Sequence, residues 1–153
     1  SLYLANRRAR GRYAVTAYLG RKSWATRYMI FSGILIFFFL FIHLNDFTLG
    51  DKEGAASIVP GMNDGVSLGL YGLVWNSFGN PFRSFFYLVA MVGVGSHLAH
   101  ALASFWVTLG VLTHKATPKA DLAAQAVGAA VAAGYCSIPL YVLVQTYLIG
   151  VQS

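Results

Sequence analysis

An almost unbroken apolar run over residues 28–49 constrains the fold of this chain more than any other feature. An α-helix rises about 1.5 Å per residue, so a run of this length can cross the roughly 30 Å hydrocarbon layer of a bilayer. Hydrophobic residues make up 57% of the chain and charged residues 10%, whereas soluble domains carry about 25% charged residues. The sequence therefore predicts a membrane protein.

Three apolar segments predict an all-α transmembrane bundle, with spanning helices at about residues 25–46, 81–112 and 120–150. The second and third segments are longer than a bilayer requires, so we expect them to tilt or to extend beyond the membrane surface. Residues 66–75 are apolar but too short to span. They predict a helix lying at the membrane surface, with Tyr71 and Trp75 at the depth of the lipid headgroups. A turn is expected at residues 60–64.

The basic residues lie where the apolar segments end and do not form one face, so the net charge of +6 indicates membrane topology rather than nucleic-acid binding. Lys115 and Lys119 fall on the same side as the N-terminal cations if the helices alternate in direction. This side then holds nine of the eleven basic residues, and the positive-inside rule places residues 1–24 in the cytoplasm. The cations ahead of the first span are Arg7, Arg8, Arg10, Arg12, Arg21, Lys22 and Arg27.

Two of the four histidines, His43 and His97, lie inside predicted spans. A polar ring within a membrane needs a partner, and it is either hydrogen-bonded to another helix or bound to a cofactor. His100 shares roughly the same helix face as His97 and is interpreted as a group supporting it, with direct ligation as the alternative. His114 follows the second span and is expected at the surface.

The neighbours of the two intramembrane histidines indicate room for a flat macrocycle. Gly93 and Ala101 lie one turn before and one turn after His97, although this spacing is equally typical of close helix packing. His43 is flanked by Phe39 and Phe47, which suit a porphyrin but also suit lipid. Because the two histidines are expected at different depths, they predict two cofactors in series. The single cysteine, Cys136, is expected to pack.

Several ordered motifs carry a family resemblance: residues 6–10 (NRRAR), 27–33 (RYMIFSG) leading to 41–44 (FIHL), 79–82 (GNPF), 86–91 (FYLVAM) leading to 95–100 (GSHLAH), and 134–139 (GYCSIP). With these motifs the chain resembles the cytochrome b membrane-anchor subunit of succinate dehydrogenase and fumarate reductase, of the type with five helices and two hemes. The resemblance covers most of the chain. It implies that these residues form the C-terminal three helices of the bundle, and that the first two helices either precede Ser1 or come from another chain.

The resemblance also implies the ligands. His43 matches the third-helix ligand of the outer b heme and His97 the fourth-helix ligand of the inner one, so this chain gives each heme one ligand. Phe39, Gly93 and His100 are expected around the hemes, and the other two ligands on the preceding helices.

By the same resemblance, the chain transfers electrons between an iron–sulfur subunit and a quinone of the menaquinone type, and performs no bond-making chemistry itself. A flavoprotein subunit and the iron–sulfur subunit are expected to dock on the cytoplasmic face, where the arginines at 7, 8, 10 and 12 lie, and a higher oligomer of the complex is left open. Trp24, Arg27 and Tyr28 are candidate neighbours of the quinone.

Two other functions remain open from the residues alone. His43 and Asp46 could form a proton relay in a small transporter or channel subunit. Alternatively, the chain is a heme-free membrane anchor whose histidines only pack.

Overall fold

The computed structural model describes residues 16–110 and 117–150, with the backbone alone for residues 16–27, Val107 and Thr117. Four α-helices occur in these ranges, together with a π-helical turn and two 3-10 turns, and there is no strand among them. The all-α prediction is confirmed. The elements in chain order are α1 (Thr16–His43), the π-turn (Leu44–Thr48), the 3-10 turns (Ala55–Ser57 and Asn63–Gly65), α2 (Leu70–Gly79), α3 (Pro81–Thr108) and α4 (Thr117–Tyr147).

Three segments are long and apolar enough to cross a membrane: Tyr28–Thr48, Pro81–Trp106 and Pro118–Tyr147. The most apolar stretches of these segments are only 11%, 22% and 17% buried, respectively, so most of their side chains face outward. A helix that is apolar all round and exposed in this way is suited to lipid rather than to water. The chain is therefore a multi-pass membrane protein, as the sequence predicts.

The chain divides into two compact units, Ser1–Phe31 and Ser32–Ser153. The first contains the N-terminal part of α1. The second contains the rest of α1, the π-turn and the other three helices, together with all the contacts described below. The division falls within α1, after Phe31.

The start of α3 follows directly from two neighbouring residues. The Asn80 side-chain oxygen accepts hydrogen bonds from the backbone N–H groups of Phe82 (2.9 Å) and Arg83 (3.3 Å). Pro81 is the first helical residue, where its missing N–H group costs nothing and its fixed φ angle suits the helix. The second span therefore begins at the residue predicted.

Small residues allow α3 and α4 to approach each other closely. A Cβ atom added to Gly95 would collide with the Gly128 carbonyl oxygen and crowd Ala132, and one added to Gly128 would collide with the Gly95 carbonyl oxygen and crowd Ala99. Gly95 and Ala99 are four residues apart, as are Gly128 and Ala132, so each pair lies on one helix face. This is the small-residue packing typical of membrane helices, and Gly95 and Ala99 lie two residues before and two residues after His97.

The connection between α1 and α3 is tied to α2 by hydrogen bonds. The Asn76 amide donates to the carbonyl oxygens of Ala56 and Ile58, both at 2.8 Å. The predicted turn at residues 60–64 is confirmed, with positive φ angles at Gly61, Asn63 and Asp64. It is followed by α2, which begins and ends four residues later than the predicted surface helix.

The placement predicted for Trp75 is wrong. Its side chain is 3% exposed and packs edge-on to Tyr141 of α4, with ring centroids 6.4 Å apart. One face of α2 is turned into the protein, so Trp75 belongs to the core. Tyr71 remains half exposed, on the outer side of α2.

Candidate functional site

His97 is held by a residue of α1. Ser32 is buried, and its Oγ lies 2.9 Å from His97 Nδ1. When Nδ1–H donates to Ser32, the lone pair of Nε2 is free to bind a metal. Gly33 faces the same ring, because a Cβ atom added there would lie 3.7 Å from His97 Cε1. The ring is therefore held at one nitrogen, and Gly33 lies beside its Cε1 edge.

The gap expected at Gly93 is filled by an α1 side chain. A Cβ atom added to Gly93 would lie 2.8 Å from Leu35 Cδ2, so Leu35 occupies the open face that the sequence predicts there. Gly33 provides the small residue beside His97 instead. His100, three residues along α3, is exposed.

Ser32 and Gly33 were not recognised as site residues from the sequence. They interrupt a run of otherwise large apolar side chains, and this interruption is the signal that could have identified them. Small residues in an apolar helix indicate a close approach of another group.

His43, the last residue of α1, lines a cavity of about 420 Å³. Aromatic rings surround its imidazole, with centroid distances of 5.4 Å to Phe39, 5.4 Å to Phe47 and 6.2 Å to Tyr87. His43 Nδ1 is buried and has no hydrogen-bond partner in the described part of the chain. The remaining lining residues are Thr48, Lys52, Leu70, Val74, Phe78, Met91, Tyr135, Ile138 and Pro139.

A polar cluster joins the π-turn to α3 beside this cavity. Asp46 lies in the π-turn with a side chain that is 3% exposed, and its Oδ1 is 3.1 Å from Arg83 Nη2. The Tyr87 hydroxyl donates a hydrogen bond of 2.9 Å to Asp46 Oδ2. Both carboxylate oxygens are thus partnered by α3. Among residues 16–110 and 117–150, no three His, Cys, Asp or Glu side chains are grouped so as to hold a metal ion by themselves.

The two histidines lie at different levels of the helices. His97 is level with Ser32, to which it is bonded, whereas His43 is eleven residues further along α1. Eleven residues correspond to a rise of about 16 Å. No single small ligand could be bound by both rings.

The other predicted residues are placed as follows. The side chains of Trp24 and Arg27 lie outside the described residues, as do His114 and the arginines at positions 7, 8, 10 and 12. Tyr28 is 46% exposed and belongs to the Ser1–Phe31 unit. Cys136 is half buried, with its Sγ 3.9 Å from the Leu88 carbonyl oxygen, in keeping with its predicted packing role.

Comparison of the chain with models of protein families, with curated proteins and with solved structures gives no significant match.

Proposed function

We propose that this chain is an electron-transfer subunit of the cytochrome b type, the membrane anchor of a succinate:quinone oxidoreductase in a bacterial inner membrane. The observation that carries this proposal is the hydrogen bond between Ser32 and His97 Nδ1. Histidines that bind metals are typically oriented by a hydrogen bond at the ring nitrogen opposite the metal. Within a membrane span, such a bond leaves Nε2 of His97 as the natural ligand atom.

The surroundings of His43 also suit a heme. A buried imidazole nitrogen without a partner costs free energy unless a hydrogen-bonding group or a metal binds that atom, and His43 Nδ1 is such an atom. The cavity beside it falls within the roughly 300–1,000 Å³ typical of cofactor sites and is walled by aromatic side chains. His43 and His97 are the residues that would hold the two hemes, each with its other axial ligand supplied by a further helix.

A bound heme supplies one-electron transfer, and the chain's own residues control its surroundings. Two histidine ligands leave no open coordination position for oxygen. Phe39, Phe47 and Tyr87 surround the His43 ring with apolar surface, and Ser32 orients the His97 ring through its hydrogen bond. The two levels, about 16 Å apart along α1, provide separate positions for passing electrons between the two sides of the membrane.

Partners and orientation belong to the same proposal. The basic N-terminal segment lies in the cytoplasm and faces the iron–sulfur and flavoprotein subunits, and the electrons pass to or from a membrane quinone. The charge distribution of the sequence supports this orientation, because nine of the eleven basic residues lie on one side.

A proton relay through His43 and Asp46 is less well supported than electron transfer. Asp46 has both oxygens partnered, by Arg83 and Tyr87, so its carboxylate is already engaged and does not point freely toward His43. A relay also leaves the Ser32–His97 bond without a role.

Absorbance tests the proposal directly. The protein purified with its partner subunits should show reduced b-type heme bands on adding dithionite, and succinate should reduce at least part of the same heme. A purified complex without heme absorbance would refute the proposal. In that case, the relay and the heme-free anchor remain as the alternatives.

A further inference from the structure

We propose that Asp46 is a positioning residue for His43. Arg83 and Tyr87 hold its carboxylate, the carboxylate holds the π-turn, and the π-turn keeps the His43 imidazole in the aromatic cavity. This inference rests on the proposed function for its meaning, since a held imidazole is a prepared ligand. Its test, however, includes a measurement that can be made whether or not heme is bound.

The first support is the location of the π-turn. It begins at Leu44, directly after His43, and closes with a 2.8 Å hydrogen bond from the Leu49 N–H group to the Leu44 carbonyl oxygen. A π-helical turn is rare and frequently lies at a functional site. Asp46 lies within this turn and forms an ion pair with Arg83 of α3, which ties the turn to that helix.

The second support is that Tyr87 contacts both Asp46 and His43. Its hydroxyl donates to Asp46, while its ring packs against His43, Phe39 and Phe47 at centroid distances of 6.2, 5.3 and 5.8 Å, respectively. Tyr87 is 3% exposed, so its ring has little room to turn. Fixing the hydroxyl therefore fixes one wall of the space in which His43 lies.

The third support is the rigidity of the α3 end. The Arg83 backbone N–H group donates a hydrogen bond to the Asn80 side chain at the helix start. The next residue, the buried Ser84, donates a 2.7 Å hydrogen bond to the Phe78 carbonyl oxygen. Arg83 thus reaches Asp46 from a capped first turn. A contact from such a point can position its partner, which here is the π-turn at the end of α1.

The test compares two substitutions that remove the same charge. Asp46→Asn keeps the side-chain size and an oxygen that can accept from Tyr87, but it removes the ion pair with Arg83. Asp64→Asn is the control, because Asp64 is exposed and its positive φ of 52° is one that asparagine also adopts. If Asp46→Asn prevents assembly, Arg83→Gln removes the same ion pair from a side chain that is 45% exposed.

Two readouts are taken on the purified complex. One is the rate at which diethyl pyrocarbonate modifies His43, measured by mass spectrometry against His97 in the same sample. The other is a redox titration of the hemes. Asp46→Asn should raise the modification rate of His43 several-fold, leave His97 unchanged and shift the midpoint potential of one heme only. Asp64→Asn should change neither readout.

The outcomes separate this inference from the proposed function. An unchanged His43 modification rate and unchanged potentials in a heme-containing Asp46→Asn complex would overturn the positioning role alone. A complex without heme in which His43 nevertheless becomes more reactive would keep the positioning role and refute electron transfer. Equal changes at His43 and His97 would indicate general loosening of the fold, and would also overturn the inference.

Discussion

His43 and His97 are both intramembrane histidines, yet the structure holds them in different ways. His97 lies within α3, and its Nδ1 shares a direct hydrogen bond with Ser32 Oγ of α1. His43 lies at the end of α1, has a buried Nδ1 without such a bond in the described residues, and is surrounded by aromatic rings. One ring is therefore oriented by a specific bond and the other by packing.

The difference shows that two intramembrane histidines can be held in place by different kinds of contact. At His97 the small residues Ser32 and Gly33 bring α1 close to the ring, so one short side chain can reach it. At His43 bulky aromatic residues instead line a cavity beside the ring. The ring there depends on the surrounding wall, which is held in turn by the polar contacts of Asp46.

The largest effects are expected from removing the rings themselves. His97→Ala should abolish one of two heme absorbance components and His43→Ala the other, because each iron loses an axial ligand. Heme extracted per complex should fall by about half in each variant. His100→Ala is the control on the same helix and should retain both hemes. Loss of a heme in His100→Ala with retention in His97→Ala would transfer the ligand assignment to His100.

A smaller and one-sided effect is expected from Ser32→Ala. Removing the hydrogen-bond partner of a metal-binding histidine typically lowers metal affinity by about 10–100-fold, so the heme at His97 should dissociate more readily and the heme at His43 should not. Heme transfer to apomyoglobin measures both rates. Ser137→Ala is a suitable control, since Ser137 is exposed and its hydroxyl bonds only to the Gly134 carbonyl of its own helix in the described structure. Equal rates of heme loss from the His43 and His97 sites would show that the Ser32 hydrogen bond does not distinguish the two histidines.

Tyr87→Phe should act on the His43 side. It removes one donor from the buried Asp46 carboxylate, and a buried acceptor left without its donor costs about 1–3 kcal/mol of folding free energy. Denaturant unfolding in mixed micelles, followed by tryptophan fluorescence, measures this loss. Tyr71→Phe, at a half-exposed ring, should leave the stability nearly unchanged. If both variants are equally stable, the Asp46–Tyr87 bond does not contribute to the fold.

Gly33→Ala is expected to have the smallest effect. The new Cβ atom would lie 3.7 Å from His97 Cε1, which is ordinary van der Waals contact, and alanine favours the helix by up to about 1 kcal/mol. The variant should be at least as stable as the parent, with both hemes retained. Gly95→Ala is the contrasting case, because its Cβ atom meets the Gly128 backbone and should destabilise the α3–α4 contact. A more stable Gly95→Ala protein would contradict this account of the interface.

The spans and the start of α3 could be predicted from the sequence because they depend on local features. Apolar runs specify membrane helices, and an asparagine before a proline specifies a helix start. The Asp46–Arg83 pair could not be predicted, since the two residues are far apart in the chain and no local pattern connects them. The burial of Trp75 likewise depends on which face of α2 meets Tyr141, a tertiary contact that no local pattern records.

The candidate site was predictable only in outline. The two histidines stand out because polar rings are rare in membrane helices. The residues that contact them could not be predicted in the same way. Ser32 and Gly33 reach His97 from a different helix, and Leu35 fills the gap at Gly93. A helical repeat within one segment shows which residues share a face, but not which side chain of another segment covers that face.

Electron cryomicroscopy of the purified complex measures the central claim most directly, through the distances between imidazole nitrogens and iron. We expect two irons, one about 2 Å from a ring nitrogen of His43 and the other about 2 Å from Nε2 of His97. A metal–imidazole bond has roughly that length. Ser32 should remain bonded to Nδ1 of His97. A map in which either ring lies more than about 3 Å from any iron, or in which one iron is shared by both rings, would contradict the proposal that His43 and His97 bind separate hemes.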